Sequence, residues 1–367
     1  MKIAWIVPRN RQCGICLYAA KYETALASAV TLVICDPGEF VRDRTSFAAK
    51  IRGCDCAHIQ YEPSFFFARG RDFYPSMCRA IPGKKVTTLH EVYRTIPGVF
   101  PRQDISGFLP VKKVRQMAWD LRHPHWAAFA KHAADSFFAD AILVHARFHC
   151  GILEDKGVDI SRISVIPVPM KAQQPWIAKP IVPGEIVTLG ATGFINPLYD
   201  YDLLLKTLER LEMPWRFVWV GGVRRDDDAS LMRYLQAEID KRSWSRRFTV
   251  TGLAFGEERD KLLANVQIFC ALFKDRSSSE SLADAISAHK YIVATRIPLT
   301  EELVSQEPLA ILADPDADKM AARIRQIISD EPLRRSLDHG CAAYCERFSV
   351  EACSRSVVEV YERLLST

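Results

Sequence analysis

No run of about 18 consecutive apolar residues, the minimum for a helix that crosses a bilayer, occurs in the 367 residues. The opening "MKIAWIVPRN" has no basic leader followed by a long apolar stretch, so no signal peptide is expected and the expected location is the cytoplasm. A disulfide framework is not expected either. The eleven cysteines are an odd number scattered over a long chain, which fits reduced thiols. Metal-ligand spacing is missing too. Cys13 and Cys16 form one CxxC with no further ligands nearby, and His123, His125, His145 and His149 lack carboxylate or cysteine partners at ligand spacing. No metal and no other cofactor is therefore expected. Zinc-finger, RNP and basic-zipper patterns are absent, so nucleic acid is not an expected partner.

What is present is the alternation of an α/β protein. Apolar runs rich in β-formers, each followed by a helical pattern, occur as "KIAWIVP", "VTLVIC", "CAHIQY", "KVTTLH", "AILVHA" and "ISVIPV". A second set reads "EIVTLG", "RFVWVGG", "RFTVTG", "QIFCAL", "YIVAT" and "LAIL". Such alternation predicts parallel sheets covered by helices on both faces. Between the sets, Pro167 to Gly184 carries five prolines and reads as a linker. The expected organisation is two Rossmann-like domains, 1–170 and 185–345, joined by 171–184. A helical tail, 346–367, is expected to pack back toward the first domain. The net charge of +5 hides an asymmetry: residues 1–180 hold 25 Lys and Arg against 15 Asp and Glu, which favours a polyanionic or membrane-surface partner for that half.

In paired Rossmann-like domains, ligands bind outside the carboxyl ends of the strands. Candidate loops are therefore "RNRQCG", "QYEPS" with Glu62, and "HEVYR" with His90, Glu91 and Arg94 in the first half. In the second half they are "GATGFINPLYD" with Asn196, "GGVRRDDD" with Arg224, "TGLAFGEE" with Leu253, and Ala271 to Thr295. The last stretch, "ALFKDRSSSESLADAISAHKYIVAT", passes from a strand through Lys274 and Arg276 to serines ahead of a helix. Serines such as Ser278 and Ser279 cap a helix, and the free N–H groups of its first turn with the dipole behind them suit an anion.

Taken in order, Gly14 with "ICLYAAKYETAL", "TLHE", "ISVIPVP", "GFINPLYDYDLLLKTL", "TGLAFGEERDKLLANVQIFCALF", "SLADAISAHKYIVAT" and "RFSVEACSRSVVEVYERLL" resemble the GT-B retaining glycosyltransferases. The particular likeness is to the large family that includes bacterial phosphatidylinositol mannosyltransferases and capsule and lipopolysaccharide enzymes. The resemblance implies parallel sheets facing a cleft, an acceptor-binding first domain and a second domain that binds a nucleotide sugar. It places the family's ribose-binding acid at Asp284, a contact to the transferred sugar at His90, and close backbone approach to donor at Gly14. It also marks two departures. The acid that usually contacts the donor sugar falls on Arg276, and the two cations that usually clamp the diphosphate fall on Phe194 and Tyr199. Lys274, Arg276 and the serine-capped helix, with Arg224 or Arg225, are the expected replacements.

The leading expectation is metal-independent transfer of a sugar to a glycan, lipid-linked or small-molecule acceptor with retention. The alternative is a catalytically inactive sugar-nucleotide or glycan-binding subunit of an assembly complex. Asp226 to Asp228 and Asp314 to Asp318 read as helix starts rather than metal sites, the second with Pro315 at the first helical position. Val111 to Asp135 clusters Lys112, Lys113, Arg115, Arg122 and Lys131 around Trp119 and Trp126. Such a segment suits the headgroup layer of an anionic membrane surface as well as it suits packing onto its own sheet.

Overall fold

Parallel strands sandwiched between helices are buried on both faces, so they appear in sequence as continuous apolar runs. The structure, a computed structural model, describes residues 1–9, 14–68, 71–94, 138–171, 180–182, 184–224 and 229–366. It divides into two compact units, Met1–Pro169 with Phe348–Thr367, and Met170–Arg347.

The strands of the first unit are β1 (Lys2–Ile6), β2 (Thr31–Cys35), β3 (Cys56–Tyr61), a small hairpin of β4 (Phe67–Ala68) and β5 (Arg71–Asp72), then β6 (Lys84–Leu89), β7 (Ala141–Val144) and β8 (Ile163–Val165). All but the hairpin form one parallel sheet in the order β2-β1-β3-β6-β7-β8. Alternation along β1 sends Ile3 and Trp5 to one face, with Tyr22 and Tyr361, while Ala4 and Ile6 meet Phe40, Phe66 and Tyr74 on the other. The closing helix Val350–Leu365 spaces Cys353, Val357, Val360 and Tyr361 along one buried stripe. It starts at Ser349, whose hydroxyl accepts from the Ala352 N–H at 3.2 Å.

The second unit contains β9 (Val187–Thr192), β10 (Trp215–Val220), β11 (Phe248–Val250), β12 (Ile268–Ala271), β13 (Tyr291–Thr295) and β14 (Ile311–Ala313). They form a parallel sheet in the order β11-β10-β9-β12-β13-β14. In each sheet the six strands are the six apolar runs quoted from the sequence. Because the strands are parallel, their carboxyl ends share one edge, and the candidate loops of each unit leave from that edge. One detail differs from expectation. The helix Ala317–Ser329 is capped by Asp316, which accepts from the Lys319 N–H at 2.9 Å, so Pro315 precedes the cap instead of opening the helix. The aspartate can accept that bond and proline cannot supply one, which fixes the boundary.

Candidate functional site

The strand exits of the second unit are built from backbone brought into contact. A Cβ on Gly221, which follows β10, would come within 2.0 Å of the Gly193 carbonyl oxygen that follows β9. A Cβ on the next residue, Gly222, would meet Gly252 Cα at 3.2 Å and the Leu253 nitrogen at 3.3 Å. Side chains are thus excluded where three loops converge, and peptide groups line the edge in their place. Beside them Leu253 is 47% exposed, one of few large apolar side chains facing solvent.

The loop after β9 carries the two positions where the resemblance expects cations. Tyr199 is buried, stands edge-on against Trp219 at 4.7 Å between centroids, and donates its hydroxyl to the Cys270 carbonyl at 2.9 Å. It belongs to the core. Phe194 lies under a cation instead: the Arg224 guanidinium carbon sits 5.2 Å from its ring centroid. Asn196 shapes the loop, its amide donating to the Phe194 carbonyl and accepting from the Leu198 N–H, both at 2.9 Å.

Strand β12 leads into the serine-rich stretch alongside that loop, since the Lys274 N–H donates to the Leu198 carbonyl at 2.8 Å. The Lys274 side chain is exposed, and Arg276 is half-buried with its guanidinium carbon 5.8 Å from the Phe273 ring centroid. Burial raises the carboxyl of Asp275 between them above its ordinary range. Ser279 is the N-cap of the helix Glu280–Ser287, accepting from the Leu282 N–H at 3.2 Å, while Ser278 is half-buried one residue earlier. The first turn of that helix and two cationic side chains therefore lie within one short stretch of chain.

Asp284, five residues into the helix, is 8% exposed and engaged from two sides. Arg259, on the helix Gly256–Ala264, donates from Nη2 to Asp284 Oδ2, and Lys171 Nζ lies 3.0 Å from Oδ1. Lys171 is itself held by its N–H, which donates to Ser287 Oγ at 3.1 Å. These residues line a shallow pocket with Leu263 and Ser287. Neither Arg259 nor Lys171 was expected from the sequence. The available signal was Arg259 standing among Glu257, Glu258 and Asp260 on a short helix, and Lys171 beginning the linker.

In the first unit His90 follows β6 and is buried. Its Nδ1 lies 3.2 Å from His145 Nε2, its Nε2 lies 2.9 Å from the Gln60 amide, and Tyr18 stands edge-on at 4.7 Å. The carbonyl of Ile166, 3.0 Å from His145 Nδ1, can only accept, so that nitrogen carries the proton of a neutral ring. His145 Nε2 then accepts from His90 Nδ1–H, which leaves His90 Nε2 an acceptor. The Gln60 oxygen faces that nitrogen at 2.9 Å while the Gln60 amide nitrogen has no partner, so turning the amide by 180° gives His90 Nε2 its donor. Burial holds both rings neutral, lowering His145 to about 4 and His90 well below the usual histidine range. Nearby, buried His58 bridges the Tyr361 hydroxyl at 2.5 Å and the Thr88 hydroxyl at 2.7 Å.

The other first-unit candidates are more dispersed. Glu62 is buried at the start of the turn Pro63–Phe65, Glu91 is half-buried, and exposed Arg94 pairs with Asp155 at 2.5 Å. Gly14 opens the helix Gly14–Leu26. Cys13, His123, His125, Arg225, Asp226 to Asp228 and the basic segment Val111 to Asp135 lie outside the described residues. Among the described residues, no group of three or more His, Cys, Asp or Glu is arranged to hold a metal ion. No described helix is long and apolar enough to cross a membrane.

No curated protein matches the chain. The family model described as "Glycosyl transferases group 1" matches residues 170–330, nearly the whole second unit. Solved structures match over both units. HepE of Anabaena, in complex with UDP and glucose, is 13% identical with a TM-score of 0.70, covering 99% of each chain. Sucrose-phosphate synthase of Thermosynechococcus elongatus is 13% identical with a TM-score of 0.72, over 100% of this chain and 99% of the other. A glycosyltransferase of Rickettsia africae is 13% identical with a TM-score of 0.70, over 100% and 99%. At these identities the shared property is the fold: two six-stranded parallel sheets flanked by helices, the GT-B architecture.

Proposed function

We propose that the chain is a glycosyltransferase that binds a nucleotide sugar on its second unit and moves the sugar, with retention, to an acceptor hydroxyl. The observation that carries this reading is Arg224 over Phe194. A guanidinium stands over the residue at one of the two expected clamp positions, beside glycine-lined strand exits and a serine-capped helix start. The family-model match to residues 170–330 supports it, as do similar folds solved with UDP and with UDP-glucose.

In this reading the acceptor oxygen bonds to the anomeric carbon on the face from which the diphosphate departs. The bond from that carbon to the phosphate oxygen breaks with its electron pair, and the acceptor proton passes to a leaving phosphate oxygen. Charge accumulates on the diphosphate, so the work of the protein is electrostatic. Arg224, Lys274, Arg276 and the backbone N–H groups at the start of Glu280–Ser287 are the stabilising groups, with no metal required. The acceptor-side candidates are Glu62, Glu91 and Arg94. His90, neutral and with both ring nitrogens engaged by His145 and Gln60, meets the sugar through its ring edge and is not a proton carrier. The acceptor class we favour is a glycan or a lipid-linked sugar at the cytoplasmic face of an anionic membrane, as in polysaccharide assembly.

A second reading, a sugar-nucleotide or glycan-binding subunit without turnover, is favoured by one observation: Tyr199 is core, so one clamp cation has no counterpart at its own position. Calorimetry with UDP, GDP and ADP, followed by turnover of the corresponding nucleotide sugars, separates the two. Binding with turnover supports transfer, binding without turnover supports a sugar-nucleotide-binding subunit, and no binding removes transfer and leaves only a glycan-binding subunit.

A further inference from the structure

We infer that Arg259 and Lys171 are positioning residues that brace the Asp284 carboxylate as an acceptor for the vicinal diol of a nucleotide ribose. The inference rests on the donor-site reading above and adds two residues that the reading does not contain. Three separate elements converge on this one carboxylate: Arg259 from Gly256–Ala264, Asp284 from Glu280–Ser287, and Lys171 from the chain that enters the second unit.

The arrangement is poorly explained as a stability device. Side chains only 12% and 8% exposed, as Arg259 and Asp284 are, lose hydration on burial, and such a pair returns little net stability. A clasp between helices is achieved as well by apolar packing. The charged cluster also opens onto a pocket instead of being sealed. Aspartate is one methylene shorter than glutamate, so the carboxylate sits close to its helix axis and needs orienting from outside. The planar guanidinium of Arg259 fixes its plane, and the ammonium of Lys171 holds the other oxygen. A carboxylate accepts about four hydrogen bonds, so one cation on each oxygen is compatible with sharing it with two ribose hydroxyls.

The test is calorimetry of the full-length protein with UDP and with 2′,3′-dideoxy-UDP, or the matching pair for whichever of UDP, GDP and ADP the wild type binds. The wild type should prefer the ribonucleotide. Arg259→Met should lower affinity for the ribonucleotide about tenfold, the value of one or two neutral hydrogen bonds, and leave dideoxynucleotide affinity within about twofold. Arg259→Lys should recover part of the discrimination, and Lys171→Met should show a smaller loss in the same direction. If Arg259→Met is too unstable to titrate, the ratio measured on Arg259→Lys and Lys171→Met decides. Unchanged ribo-to-dideoxy discrimination in these variants overturns the inference while leaving the donor-site reading intact. Failure of the wild type to bind any nucleoside diphosphate overturns both.

Discussion

The Arg224 guanidinium carbon lies 5.2 Å from the centroid of the Phe194 ring, which places a cation over a residue that the family resemblance expects to be cationic itself. An aromatic face holds and orients a guanidinium, by about 0.5–2 kcal/mol depending on desolvation. Arg224→Ala should therefore weaken nucleoside diphosphate binding by about 1.5–3 kcal/mol, the value of a charge-assisted hydrogen bond. Phe194→Ala should weaken it less, because the cation remains but is no longer oriented. Calorimetry checks both, and equal affinity for wild type and Arg224→Ala would take this cation out of the donor site.

Lys274 and Arg276 supply the remaining positive charge at the exit of β12. Replacing both with Ala should cost roughly 2 kcal/mol or more of nucleoside diphosphate affinity. The loss should shrink as salt rises, as expected for partly exposed charges.

His90 is predicted to act on the reacting end of the donor. His90→Ala should lower kcat with little change in nucleoside diphosphate affinity, because the affected contact is to the sugar. His145→Gln, which leaves His90 in place but alters its partner, should give a smaller loss in the same direction. Full turnover by His90→Ala would make it a structural histidine.

The buried histidines also predict a pH dependence of stability. Burial lowers His145 from 6.5 to about 4 and His58 from 6.5 to about 3, so between those values and 6.5 the unfolded chain binds protons that the folded chain refuses. Stability should be complete above about pH 6.5 and fall as the pH drops below it. The slope is up to about 1.4 kcal/mol per pH unit for each histidine. Thermal melting between pH 7.5 and 5.5, where most carboxylates stay ionised, measures this. A flat melting temperature across that window would contradict the described network.

The strands were readable because each of the twelve is a short apolar run rich in β-formers, as in "RFVWVGG" and "YIVAT". The Ser279 cap was readable because a short hydroxyl side chain ahead of a periodic apolar pattern has few other roles. Tyr199 was not, because its burial depends on Trp219 and Cys270, which lie 20 and 71 residues away. Nor was the clasp on Asp284. Arg259 and Lys171 look like ordinary surface cations in sequence, and only the packing of two helices and the incoming chain brings them to one carboxylate. The proton order running from Gln60 through His90 and His145 to Ile166 likewise follows from contacts across β3, β6 and β7, not from any spacing along the chain.

The basic, tryptophan-containing segment Val111 to Asp135 predicts association with anionic membranes. Co-sedimentation with vesicles should rise with anionic lipid content and fall at high salt. Protein that stays in the supernatant with anionic vesicles at low salt would point to a soluble acceptor.

The central claim is sugar transfer from a nucleotide donor, and NMR of the purified protein with a panel of nucleotide sugars tests it most directly. One donor should be consumed with release of its nucleoside diphosphate, slowly to water in the absence of acceptor, and the sugar released first should keep the anomeric configuration of the donor. A protein that binds a nucleotide sugar but consumes none with any acceptor supplied, or that first releases the inverted anomer, would contradict the account.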